Sequence, residues 1–271
     1  MFAINDHEFT QFADYVRHNY GIHFKAEKKS LIAGRLNHVL ADMNMRNLTQ
    51  YMEYLAADKS GRAVSTMLDK ITTNYTYFMR EADHFQYFRD SVLPYLEKTV
   101  KNRDLRIWCA ASSTGEEPYT LAMIMDEYFG AEKSKWDTKI LATDISQAVL
   151  NTAKAGIYSR DKTGPLPEAW KKRYFNTYDS ENLILSERIR DDVIFSKINL
   201  MEPAFPFKKN MHAVFCRNVM IYFDNETKDR LTERLYDITE PGGFLFIGHA
   251  EGLNREKTRY KYIMPAVYRK E

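Results

Sequence analysis

From Leu105 onward, compact apolar runs alternate with stretches whose apolar residues recur at helical spacing, and no other feature constrains the fold as strongly. The runs Leu105 to Ala111, Ile140 to Thr143, Val193 to Ile198, Ala213 to Cys216 and Phe244 to Gly248 predict strands. Pro118 to Phe129, Ser146 to Ala155 and Asp224 to Ile238 predict helices between them. Pro118 falls near a first turn, where its missing N–H costs nothing, and Ser146 is a candidate N-cap. Strands alternating with helices specify an α/β, doubly wound, mostly parallel sheet with crossover helices. Pro241-Gly242-Gly243 is expected to turn into the fifth strand.

Two regions depart from this alternation. Residues 1–71 carry helical stripes alone: Phe9, Phe12, Ala13, Val16 and Tyr20, with Gly21 as a stop; Leu31, Leu36, Val39, Leu40 and Met43; Leu48, Tyr51, Met52 and Leu55; then Val64, Met67, Leu68 and Ile71 after a Ser60-Gly61 break. They predict a small all-helical domain. Residues 156–192 hold Gly164, Pro165 and Pro167, a helical piece at Glu168 to Tyr174, and Leu183 to Leu185 after a polar turn. They predict a hairpin subdomain inserted in the sheet domain, which spans 85–271. Residues 72–84 join the two domains.

Composition narrows the function classes. A formal net charge of +2 gives no support to nucleic-acid binding, which shows a basic excess. No apolar run reaches the roughly 20 residues that span a bilayer. The start, Met1-Phe2-Ala3-Ile4 followed by Asn5 and Asp6, lacks the pattern of a signal peptide, so a cytoplasmic protein without membrane insertion is expected. Cys109 and Cys216 lie in apolar runs and are expected to be buried thiols. With no HExxH or paired Cys-x-x-Cys spacing, no metal is expected.

The polar residues cluster where a doubly wound sheet binds ligands, outside the carboxyl ends of its strands. Ala110-Ala111-Ser112-Ser113-Thr114-Gly115-Glu116-Glu117-Pro118 follows the first strand. A dinucleotide would require G-x-G-x-x-G; one Gly and two carboxylates suit a ligand with an ammonium group instead. Either Glu116 or Glu117 could serve. Asp144 ends the second strand, where an acid takes ribose hydroxyls. Asn199-Leu200 ends the third, and Cys216-Arg217-Asn218-Val219-Met220-Ile221-Tyr222-Phe223-Asp224 follows the fourth. The joining segment, Thr72 to Phe85, carries aromatics and Arg80 and is expected to be packed rather than loose.

These segments resemble the chemotaxis receptor methyltransferases of the CheR type. The stretch at 216–224 resembles the family's motif IV, S-x-G-E-E-P-Y its motif I, and Thr72 to Phe85 its T-x-N-x-T-x-F-x-R-E-x-x-x-F pattern at every fixed position. The resemblance runs in order to Gly248-His249-Ala250-Glu251. It implies S-adenosylmethionine (SAM) as cofactor and S-adenosylhomocysteine as product. It assigns cofactor contacts to Asn74, Thr76, Arg80, Glu117, Asp144, Asn199, Leu200, Asn218 and Val219. For such a reaction Arg80, with its fixed fork of donors, is the candidate for holding the receptor glutamate, and the Tyr222 hydroxyl for orienting that carboxylate or the sulfonium. The partner implied is the cytoplasmic helical region of a methyl-accepting chemoreceptor, met by a basic face formed by Lys25, Lys28, Lys29, Arg35 and Arg46. In some members the hairpin adds a strand to a peptide at the receptor's C-terminus. Their turn is longer and Gly-rich; here Asn176 to Asn182 is short and Gly-free, so stable C-terminal pentapeptide binding is not expected. A SAM methyltransferase for another substrate, or a non-catalytic SAM-binding docking protein, are the alternatives.

Overall fold

The computed structural model describes residues 4–271. Met1 to Ala3, which begin the stretch weighed above as a signal sequence, lie outside the described residues. The helical region comprises α1 (Asp6–Tyr20), α2 (Lys29–Asp42), α3 (Leu48–Ala57) and α4 (Arg62–Ile71). Helix α1 starts with a capping box, in which the Glu8 N–H donates to Asn5 Oδ1 and the Asn5 N–H to Glu8 Oε2. It stops at Gly21, whose φ of 73° is the left-handed conformation a helix end favours. The helical stripes pack as expected with one exception on α2: Leu31 is exposed and Ile32 is buried in its place. The basic face is also thinner than expected. Arg35 turns inward to the Ile71 carbonyl and Thr73, and Lys29 pairs with Asp6. Lys25, Lys28 and Arg46 remain exposed.

A bent helical run follows the joining segment: α5 (Ala82–Tyr87), one π-turn over Phe88–Val92, and α6 (Leu93–Thr99). The sheet domain then alternates as β1 (Ile107–Cys109), α7 (Glu116–Phe129), β2 (Ile140–Asp144) and α8 (Gln147–Ala155). The insertion follows as β3 (Ile157–Ser159), α9 (Glu168–Tyr174), β4 (Phe175–Thr177), β5 (Asn182–Leu185) and α10 (Glu187–Arg190). The chain returns through β6 (Val193–Lys197), β7 (Met211–Phe215), α11 (Asn225–Asp237), β8 (Thr239–Phe246), β9 (Lys261–Met264) and β10 (Val267–Arg269). Seven strands form one sheet in the order β6-β2-β1-β7-β8-β10-β9. The pairs from β6 to β8 are parallel, and β10 pairs antiparallel with β8 and β9.

The insertion contains the expected hairpin, β4–β5, and extends it to a three-stranded sheet, β3-β5-β4, because Ile157–Ser159 pairs with the hairpin's inner strand. Pro241-Gly242-Gly243 is no turn before a strand but an irregular stretch within β8, where the register against β7 shifts between Met211 and Ala213. Gly243 is required there: a Cβ would lie 2.9 Å from both the Glu240 and His212 carbonyl oxygens. The strands β9 and β10 went unforeseen, since Tyr262 and the polar residues around it break the apolar run that marks the other strands.

Strand alternation divides the core into two faces. Trp108, Val214, Cys216, Leu245 and Ile247 face the four N-terminal helices and α11. Ile107, Cys109, Ala213, Phe215, Phe244 and Phe246 face α5 to α7 and the insertion. The insertion is fastened to α7 at buried Asp126, which accepts from Tyr174 Oη at 3.0 Å and Arg173 Nη2 at 3.2 Å. Trp108 is wholly buried, edge-on to Phe205 and Phe207 at 4.9 and 4.8 Å, and its indole N–H donates to Thr143 Oγ1 at 2.9 Å. Trp108→Ala is expected to destabilise the fold by about 3–5 kcal/mol, measured as the shift in urea midpoint; an unmoved midpoint would refute this account of the β1 core.

Candidate active site

Strand order reverses at β1, which lies between β2 and β7, and the carboxyl ends of these strands open a crevice. Every site residue expected from the sequence lines one cavity there: Asn74, Thr76, Arg80, Glu117, Asp144, Asn199, Leu200, Asn218, Val219 and Tyr222. Tyr20 and Ile22 reach it from the end of α1. A wider groove between α1 and α11, lined by Arg17, Arg230 and Lys257, contains none of the expected site residues.

The loop after β1 is shaped by backbone bonds. Ser112 N–H donates to the Thr143 carbonyl at 2.8 Å, and Ser113 N–H to Asp144 Oδ2 at 2.9 Å. Ser113 Oγ reaches the Asn74 carbonyl at 3.2 Å, so the joining segment lies against this loop. Asp144 also accepts from Ser146 N–H at 3.0 Å. Burial pushes its carboxyl up, and the backbone N–H groups pull it back. Ser146 caps α8 as expected.

The two adjacent glutamates diverge. Glu116 is fully buried, turned away from the cavity toward Thr114 and Lys162. Glu117 lines the cavity and accepts from Arg217 Nη1 at 2.7 Å. Burial raises its pKa; the Arg217 guanidinium opposes that rise. Geometry thus separates two residues that the sequence leaves equivalent.

Arg217 went without a role in the sequence and proves central. Its side chain is 1% exposed. Besides Glu117 it reaches Glu81 Oε2 at 3.1 Å and the Arg80 carbonyl at 2.5 Å, and it stacks over the Phe85 ring at 5.2 Å. Glu81 also accepts from the Asn218 amide at 3.0 Å and His249 N–H at 3.2 Å. Burial acts to raise Glu81, but Asn218 and Arg217 prevail and hold its carboxyl below the usual range. Glu81, His84 and His249 bring ligand atoms within 4.8 Å of one another. Burial and Arg217 push His84 down to about 4, leaving the ring neutral at pH 7. Within this cluster Arg217 already pairs with Glu81.

Asn218 adopts φ 58° and fits tightly under Gly248, where a Cβ would lie 2.3 Å from its amide nitrogen. Its N–H donates to Glu251 at 3.0 Å, giving the Gly248 to Glu251 stretch a structural purpose. Asn199 does not direct its whole amide at the cavity: Nδ2 donates to the Asn19 carbonyl at 2.8 Å and Oδ1 accepts from Met201 N–H at 3.0 Å. Leu200 is buried and Val219 half-buried. Tyr222 Oη makes a long contact, 3.4 Å, with the Thr73 carbonyl. Arg80 donates to the Tyr75 carbonyl at 2.8 Å and lies 5.9 Å from the Tyr75 ring centre. Among the described residues no carboxylate pairs with it. The cavity thus combines buried acids, an apolar ledge and a cation at its mouth, a donor set that fits SAM.

The comparisons with known proteins agree. Residues 74–268 match the SAM binding domain of CheR methyltransferase, and residues 7–72 its all-alpha domain. The chain is 39% identical over 270 residues to a chemotaxis protein methyltransferase of Borreliella burgdorferi, covering 98% of this chain and 95% of that one. It is 33% identical to a probable chemotaxis protein methyltransferase of Rhizobium etli, over 92% of this chain and 97% of the relative. It is 30% identical to the chemotaxis protein methyltransferase of Escherichia coli, over 98% and 91%. With both of its domains matched and these relatives spanned almost end to end, the chain belongs to the CheR methyltransferase family, whose cofactor is SAM.

Proposed function

We propose that the protein methylates glutamate side chains of bacterial chemoreceptors in chemotactic adaptation, forming glutamate methyl esters and S-adenosylhomocysteine. One observation carries this reading: among the described residues, the cavity is lined by the unpaired Arg80 guanidinium and by no histidine, lysine or cysteine. An amine or alcohol nucleophile would need a base to take its proton. A free glutamate, with a pKa of about 4.3, is already ionised at pH 7 and needs only to be seated. The acids that line the cavity are oriented by Arg217 (Glu117) and by backbone N–H groups (Asp144) and are assigned to the cofactor rather than to a base.

When bound, SAM supplies the electrophilic methyl group. Asp144 would hold the ribose hydroxyls, Glu117 the ammonium group and Leu200 and Val219 the adenine, with Asn199, Asn218, Asn74 and Thr76 on the walls of the same cavity. Arg80 seats the glutamate carboxylate through its planar fork, and the Tyr222 hydroxyl orients it from across the mouth. Alignment of this kind lowers a barrier by several kcal/mol. The end of α1 contributes one side of the cavity through Tyr20 and Ile22.

Exposed Lys25, Lys28 and Arg46 offer the surface for an acidic receptor helix. The turn between β4 and β5 supports the absence of peptide tethering. Asp179 accepts from the Glu181 and Asn182 N–H groups at 2.8 Å, closing the turn on itself. Among the described residues no helix is long and apolar enough to cross a membrane.

Three outcomes are expected. Asp144→Ala should raise the SAM dissociation constant by about one to two decades, since a hydrogen bond to a charged group contributes roughly 1.5–3 kcal/mol; calorimetry showing unchanged affinity in a folded variant rules out the ribose role. Arg80→Ala should cut turnover on receptor-containing membranes by orders of magnitude while the protein keeps its melting temperature, and Arg80→Lys should restore little of it, lacking the fork. Base-labile label from radioactive SAM should appear on the receptor, and near-normal turnover without Arg80 would defeat the seating role. Titration with C-terminal receptor pentapeptides should show no saturable binding; micromolar affinity would overturn the inference from the turn.

A further inference from the structure

The adjacent glutamates at the start of α7 point to opposite faces, each toward its own cation. Glu117 faces the cavity and Arg217. Glu116, fully buried, faces the insertion, where Lys162 Nζ donates to it at 2.9 Å. Thr114 Oγ1 donates to the same carboxylate at 2.7 Å. One residue of the insertion reaches further. Tyr158, on β3, donates its hydroxyl to the Thr114 carbonyl at 2.7 Å. The fit there is tight: Gly115 has φ 96°, and a Cβ on it would lie 2.9 Å from Tyr158 Oη and 2.9 Å from Ala153 Cβ. The Tyr158 ring is also edge-on to Phe78 at 4.9 Å, in the segment that carries Thr76 and Arg80.

We infer that the inserted sheet shapes the cofactor site from behind, with Tyr158 and Lys162 acting as positioning residues for the loop Ser112 to Glu117. The inference rests on the reading that places the cofactor beside Ser113 and Glu117. Neither Tyr158 nor Lys162 lines the cavity. They act through the loop's backbone and through Glu116. A carboxylate this buried requires a paired charge or a hydrogen bond. Lys162 and Thr114 supply both and fix the first turn of α7. Glu117 is the next residue on that turn, so its direction into the cavity follows from how Glu116 is held outside it. The insertion therefore has work to do at the cofactor site whether or not it meets a receptor peptide.

The test is SAM titration by calorimetry on the full chain, with thermal melting and turnover at saturating SAM. Tyr158→Phe and Lys162→Met should each raise the SAM dissociation constant by about three- to tenfold, the scale of one lost hydrogen bond. Turnover at saturating SAM should stay near wild type. Lys162→Arg should restore affinity, and Lys172→Met, which removes an exposed cation on α9 of the same insertion, should leave it unchanged. If Lys162→Met does not fold, Tyr158→Phe decides alone, since it keeps the ring. Unchanged affinity in folded Tyr158→Phe and Lys162→Met, with Glu117→Gln still weakening SAM, overturns this inference alone. An equal loss in Lys172→Met overturns it as well. Unchanged affinity in Glu117→Gln removes the cofactor placement beneath it.

Discussion

The Arg217 guanidinium is the interaction on which the site depends. It sits just past the end of β7, 1% exposed, and touches two other parts of the chain: Glu117 on α7, and the joining segment through Glu81 and the carbonyl of Arg80. A buried charge costs several kcal/mol unless it is paired and hydrogen-bonded. Here two carboxylates and one carbonyl share a single fork. Removing Arg217 would leave both carboxylates without their counter-charge, so the guanidinium ties the sheet, the cofactor loop and the joining segment together. The Phe85 ring against the guanidinium face completes the enclosure.

The helical region is fixed to the sheet at the cavity's rim as well as through the core. Asn199 donates to the Asn19 carbonyl, His23 N–H to the Tyr222 carbonyl at 2.8 Å, and Arg17 pairs with Asp224 at 2.6 Å. Each bond joins α1, or the residues just after it, to a segment following a parallel strand. A residue expected to serve the cofactor, Asn199, therefore spends its amide on holding the wall in place. The apolar face that Trp108 and Val214 present is covered by the same helices.

Much of the architecture was legible because it rests on periodicity and on local chemistry. The parallel strands announce themselves as apolar runs, Ser146 as a cap, Gly21 as a stop. What stayed hidden depends on distance along the chain or on competing signals. Arg217 shows in sequence only as half of a polar pair; its partners lie 100 and 136 residues away, and nothing local names them. Glu116 and Glu117 share one environment in sequence and opposite ones in space. Leu31 and Ile32 are neighbours of equal apolarity, so a helix turned by one residue exchanges them. Pro241-Gly242-Gly243 carries the composition of a turn, yet two parallel strands tolerate it as an irregularity.

Arg80 and Glu81 are adjacent and opposite in charge, and the simplest outcome would be for each to satisfy the other's neighbourhood at the mouth of the cavity. The backbone prevents it. Met79 and Glu81 both adopt left-handed conformations, φ 61° and 58°, on either side of Arg80. Such conformations cost non-glycine residues roughly 1–3 kcal/mol each and persist only where the surroundings over-determine them. Arg217, Asn218 and His249 N–H do so here, by drawing Glu81 to the interior. Among the described residues, Arg80 is left on the other side with the Tyr75 carbonyl and ring alone. Had Glu81 turned outward, it would occupy the guanidinium and repel a second carboxylate. The buried network thus sorts charge by depth, with acids inside and an unclaimed cation at the entrance, where the proposed reaction would bring an anionic side chain.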